Sequence, residues 1–104
     1  MENSANPCLL VFVVTPELEE PVVDWLLAQE RLVSFTQQEI RGFNRNHANF
    51  SLVEQVTGRQ KRIMFHVRTT EIEGRDLLVG LCDGFPGKAI ESYMIPLLAT
   101  ETTA

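Results

Sequence analysis

Cysteine and histidine are scarce in this chain of 104 residues, with two of each. Cys8 and Cys82 each lie in an apolar run, where a free thiol behaves as a small hydrophobe, and no CxxC pair or metal-ligand spacing occurs. The histidines, His47 and His66, are nineteen residues apart, which is not a metal motif. Long apolar stretches are also missing. The longest, residues 8–14, is far too short to span a bilayer. The opening M-E-N-S-A-N-P has neither a basic region nor an apolar core, so no signal peptide is expected. A cytoplasmic protein with two reduced, unbridged thiols is the resulting expectation. Positive charge is the third shortage: nine bases against fourteen acids give a net charge of −5 and a pI near 4.9. Nucleic-acid affinity rests largely on neutralising phosphates, so no nucleic-acid partner is expected. No nucleophile stands beside a base in any recognisable pattern, so no catalytic residue is assigned and the chain is not expected to be an enzyme.

What charge there is has been distributed unevenly. Residues 41–68 hold six bases against one acid, Glu54, whereas the rest of the chain holds three bases against thirteen acids. A basic patch on an acidic body suits an anionic small ligand or an acidic partner surface, although solvated loop and strand-edge charges give the same pattern. A chain of this length forms one domain. Residues 8–98 carry its apolar periodicity, and residues 1–7 and 99–104 read as flexible tails.

The element signals run in a clear order. Residues 8–14, C-L-L-V-F-V-V, form an unbroken β-branched run, as in a strand covered on both faces. Thr15-Pro16 then opens a helix whose inner face is Leu18, Val22, Trp25 and Leu26, fading near Glu30. Pro21 removes a helical hydrogen bond, which predicts a kink or a separate first turn. Residues 34–41 form a second strand, polar enough for a sheet edge. A long loop follows, and Ser51-Leu52-Val53-Glu54 is a capping box opening a short helix that stops at Gly58. Residues 61–68 alternate cleanly, with Ile63, Phe65 and Val67 on one face and Arg62, Met64, His66 and Arg68 on the other. Thr70-Glu71-Ile72-Glu73 is a second capping box. It opens a helix with Leu77, Leu78, Leu81, Cys82 and Phe85 facing inward, weakened by Gly74 and Gly80. Gly84 ends it, Pro86-Gly87 turns the chain, and residues 90–98 form a last strand that Pro96 confines to an edge.

Strand, helix, strand, strand, helix, strand is the split β-α-β arrangement, an α+β ferredoxin-like sandwich with sheet order 4-1-3-2 and both helices on one face. The first strand is apolar on both sides while the helices cover one, so a partner subunit or the long loop is expected on the other. Arg59-Gln60-Lys61-Arg62 is a candidate binding cluster for phosphate or carboxylate, as against a solvated strand entrance. Gly87-Lys88, in the Gly84–Lys88 turn, could bring backbone amides to a phosphate, as against a plain helix stop. His47 and His66 are candidate soft-metal ligands only if a site assembles between subunits with Met64 or a cysteine.

Pro16-Glu17-Leu18-Glu19-Glu20 with Asp24-Trp25-Leu26-Leu27, and then Ser51-Leu52-Val53-Glu54-Gln55-Val56-Thr57-Gly58-Arg59, resemble a small bacterial family of undefined function. That family belongs to the superfamily of the nitrogen-regulatory protein PII, which also includes the divalent-cation tolerance proteins. The resemblance covers residues 9–98. It implies a homotrimer without catalysis, acting as a regulatory or ligand-sensing protein. Nucleotides would bind in inter-subunit clefts built from the loops at residues 42–60 and 84–88, with a membrane transporter or regulatory protein as partner. The PII modification tyrosine has no counterpart, because the one tyrosine, Tyr93, falls on the last strand. The small family is similar to proteins encoded beside heavy-metal efflux pumps, so the alternative it implies is a metal-binding accessory protein linked to cation efflux or tolerance.

Overall fold

The structure is a computed structural model, and it describes residues 6–32, 34–43 and 59–103. Strand β1 (Pro7–Val14) leads through a single 3-10 turn (Pro16–Leu18) into helix α1 (Glu19–Leu27). Strands β2 (Phe35–Phe43) and β3 (Arg59–Thr70), helix α2 (Glu71–Gly84) and strand β4 (Glu91–Pro96) follow. The sheet is four-stranded and antiparallel in the order β2-β3-β1-β4, so the two strands read as edges are the edges. The fold is the predicted ferredoxin-like α+β sandwich.

Strand parity decides which residues make the core. Leu10, Phe12 and Val14 of β1 lie opposite Val67, Phe65 and Ile63 of β3, and all six are buried beneath the helices. Val22 and Leu26 of α1 and Leu81 of α2 close the layer from above. Phe65 is its centre. Its ring stacks on Phe12, with centroids 5.1 Å apart, and tilts against Phe35 at 6.2 Å.

The helix starts follow their local chemistry. Pro21 falls in the first turn of α1, and the 3-10 turn before it is the separate first turn that a proline there predicts. At α2 the amide of Glu73 donates to the Thr70 hydroxyl at 3.3 Å, one half of the capping box. The turn between α2 and β4 places Gly87 at φ +76°, where a side chain is strained, and Lys88 donates its amide to the Phe85 carbonyl at 3.3 Å.

Three expectations are corrected. Strand β3 is longer than its clean alternation suggested, and β2 runs on to Phe43 because the register continues through Gly42 opposite Gln60 and Phe43 opposite Arg59. Cys82 is exposed rather than inward, because the apolar stripe of α2 follows Leu77, Leu78, Leu81 and Phe85 and leaves position 82 outside it. The glycines of α2 are also more than weak points. A Cβ at Gly80 would stand 3.0 Å from the Trp25 ring and one at Gly84 3.4 Å from its indole nitrogen, so the two let α1 and α2 close on that ring. The capping box at Ser51 and the short helix it opens lie outside the described residues.

Phe65→Ala should cost about 3–5 kcal/mol, because the site is walled by two further rings and the sheet and has little room to collapse. Chemical denaturation measures this, and a loss under about 1 kcal/mol would show that the aromatic stack is not the centre of the core.

Candidate functional site

The sheet has two unlike faces. On the face away from the helices, the register aligns Ile95, Leu9 and Arg68 in one row, Tyr93, Val11, His66 and Thr36 in the next, and Glu91, Val13, Met64 and Gln38 in the third. Arg62 beside Ile40 and Gln60 beside Gly42 complete it. The apolar residues of this face gather on β1 and β4, and the polar ones mainly on β2 and β3. Tyr93 and Ile95 are 44% and 41% exposed, while Val11 at its centre is only 1% exposed.

At one end of that face three connections converge: the exit from β1 at Thr15, the entrance to β3, and the turn from α2 into β4. They surround a shallow cavity of about 460 Å³, floored by Val13, Ile40 and Met64 and rimmed by Tyr93, Arg62 and Glu91. The predicted basic cluster divides here. Lys61 belongs to the helix-side face and forms an ion pair with Glu39 at 3.5 Å, a carboxylate shared with Arg41 at the same distance. Arg62 belongs to the open face, half-buried, and its Nη1 donates to the Lys61 carbonyl at 2.6 Å. A strand cannot turn adjacent side chains to one side, so Lys61 and Arg62 cannot line the same site. Arg59 begins β3, but its side chain is not among those described, and His47 also lies outside the described residues.

The charges of Arg62 and Lys88 both act on one residue, Glu17, to which the sequence assigned no site role. The Glu17 carboxyl is held below the ordinary glutamate range. Its own backbone amide contributes most, then the Thr15 hydroxyl, and the positive charges of Arg62 and Lys88 add to both. The signal was present in Thr-Pro-Glu, a carboxylate three residues beyond β1, but which cations act on it is a matter of tertiary placement. Of the metal candidates only His66 is among the described residues. His66 sits half-buried between Val11 and Thr36, and among the described residues no three groups able to hold a metal ion cluster.

A family model described as "Protein of unknown function (DUF3240)" matches residues 4–103. The chain belongs to that family. A DUF3240 family protein from Shewanella baltica superimposes with a TM-score of 0.78 at 20% identity, covering 96% of this chain and 99% of that one. CutA1 from Pyrococcus horikoshii superimposes with a TM-score of 0.67 at 18% identity, covering 89% and 86%. A putative PII-like signaling protein from Thermus thermophilus gives 0.62 at 19%, covering 88% of each chain. At such identities the likeness is one of fold, and the DUF3240 fold is PII-like. No curated protein matches the sequence significantly. Among the described residues no helix is long and apolar enough to cross a membrane.

Two predictions concern these side chains. The Glu17 carboxyl should titrate below the ordinary glutamate value of about 4.3, and Arg62→Ala should raise its midpoint, as followed by NMR of the side-chain carboxyl. Because folding favours the ionised form, its contribution to stability is present above the ordinary value and lost as pH falls through the depressed one. A midpoint unmoved by Arg62→Ala would separate the two groups. Cys8 is buried, and burial, with the Glu71 charge second, pushes its thiol up against the smaller opposing effect of Arg75. A thiol reagent at neutral pH should therefore modify Cys82 rapidly and Cys8 only on unfolding. Equal rates would contradict that burial.

Proposed function

We propose that this DUF3240 chain is a non-enzymatic, PII-like regulatory protein of the cytoplasm. It works as a homotrimer assembled through the open sheet face and takes an anionic small molecule, such as a nucleotide, at the end of that face. The observation that carries this reading is the cavity floored by Val13, Ile40 and Met64 with Arg62 on its rim, and the positive charges of Arg62 and Lys88, which both act on Glu17, support it. Arg62 and Lys88, set against Glu17 and Glu91, offer charge-assisted donors to a ligand that carries phosphate or carboxylate, and an apolar floor suits the body of such a ligand. Gly87, whose left-handed backbone sets the position of Lys88, belongs to the same site. Lys61 does not, since its ion pair with Glu39 is on the other face. Residues 42–60 are the surface proposed for a regulatory or transporter partner. Assembly supports the reading as well: Tyr93 and Ile95 expose apolar area that is worth about 25 cal/mol per Å² when covered, and other copies of the chain would bring further rims to the cavity.

The test is a thermal-shift titration with ATP and with inorganic triphosphate, since a ligand held by the native state alone raises the melting temperature. Arg62→Ala and Lys88→Ala should each weaken the stabilising anion by roughly tenfold or more, the loss expected for a charge-assisted hydrogen bond. Lys61→Ala should leave it unchanged. No shift with either anion, or equal shifts in all three variants, would overturn the site.

A further inference from the structure

A roomier cavity than the one floored by Val13, Ile40 and Met64 lies on the helical side, at the opposite end of the sheet. It is a groove of about 660 Å³ between the last turn of α1 and the first half of α2, within the range of small-molecule sites. Its floor is Trp25, Leu77 and Gly80. Trp25 is half-buried, packed onto Gly80 and Gly84 and edge-on to Phe85 with centroids 6.4 Å apart, so α2 fixes the orientation of the indole.

The groups around the rim indicate the sign of an occupant. Arg31 and Asp76 neutralise each other across the groove at 3.5 Å. The start of α2 offers little to an anion, because the Glu73 amide already donates to Thr70 and the Glu71 amide to the Asn6 carbonyl. Arg68 reaches the rim from β3, but its strand position puts its side chain on the face with Arg62 and His66, away from the helices. Glu30 and Glu73 remain, and among the described residues neither has an ion-pair partner. An indole and a leucine in the floor beneath two carboxylates match a compact cation on an apolar body, because an aromatic ring and carboxylates attract the same charge.

We infer that this groove is a second ligand site, one that takes a small organic cation: an ammonium group carried on an aromatic or alkyl body. The ammonium lies between Glu30 and Glu73, and the body lies on Trp25 and Leu77. The site is independent of the anion site, since no residue is shared and the groove is on the side of the sheet opposite the assembly face.

Trp25 is the one tryptophan in the chain, so its emission reports occupancy directly. The full chain is titrated with 2-phenylethylammonium, with the neutral 2-phenylethanol and with the anionic 3-phenylpropionate. The ammonium should change Trp25 emission saturably, the alcohol should bind roughly tenfold more weakly, and the carboxylate should not bind. Glu30→Gln with Glu73→Gln should reduce ammonium affinity to that of the alcohol. Glutamine still serves a capping box, so an unchanged melting temperature shows that the fold is intact. If the ammonium gives no saturable change up to roughly 10 mM, or if all three compounds bind alike, or if the double variant binds as the parent does, the proposal is overturned.

Discussion

The structure depends on β1 being apolar on both sides. A strand paired on each edge and packed on one face still has a second face to cover, and Leu9, Val11 and Val13 give that face the same character as the core side. Cross-strand neighbours do part of the work: Val11 is almost fully enclosed between His66 and Tyr93 without help from the helices. They do not finish it, since Tyr93 and Ile95 on β4 remain open to solvent. The unfinished face is where we propose that copies of the chain assemble, and its end, where three connections meet, is where we propose that a ligand reaches both a loop and the sheet.

Strand parity then sorts the charges. In sequence, the bases near the entrance to β3 form one cluster. In space Lys61 and Arg62 go to opposite faces, Lys61 paired with Glu39 and Arg62 lending its charge to Glu17. Lys61 and Arg62 therefore belong to two separate arrangements, one around Glu39 and one acting on Glu17. In the proposed site an anion would meet Glu17 together with Arg62 and Lys88, so its binding would be an exchange of one carboxylate for another negative group rather than capture by uncompensated cations.

The fold was legible because its signals are local and agree with one another. An unbroken β-branched run marks the inner strand, Pro96 and the Gln-rich second strand mark the edges, and Thr70 with Glu73 marks a helix start. The site was legible only in part. Alternation already placed Arg62 opposite Lys61, but the meeting of Arg62 with Lys88 and Glu17 joins three stretches that no periodicity connects. Cys82 was misplaced because the pattern of α2 admits two apolar edges, and the packing of Leu81 against the core selects one. Gly80 and Gly84 read as weak helix positions, since the ring that requires them belongs to the other helix.

That the open sheet face drives self-assembly is the central claim, and the mass of the particle in solution tests it most directly. Light scattering at micromolar concentration should give three times the 11.8 kDa of one chain. The double variant Tyr93→Lys with Ile95→Lys should stay folded but scatter as a single chain, since both side chains are exposed in the protomer. A parent protein of 11.8 kDa, or a double variant that keeps the full mass, would contradict the account.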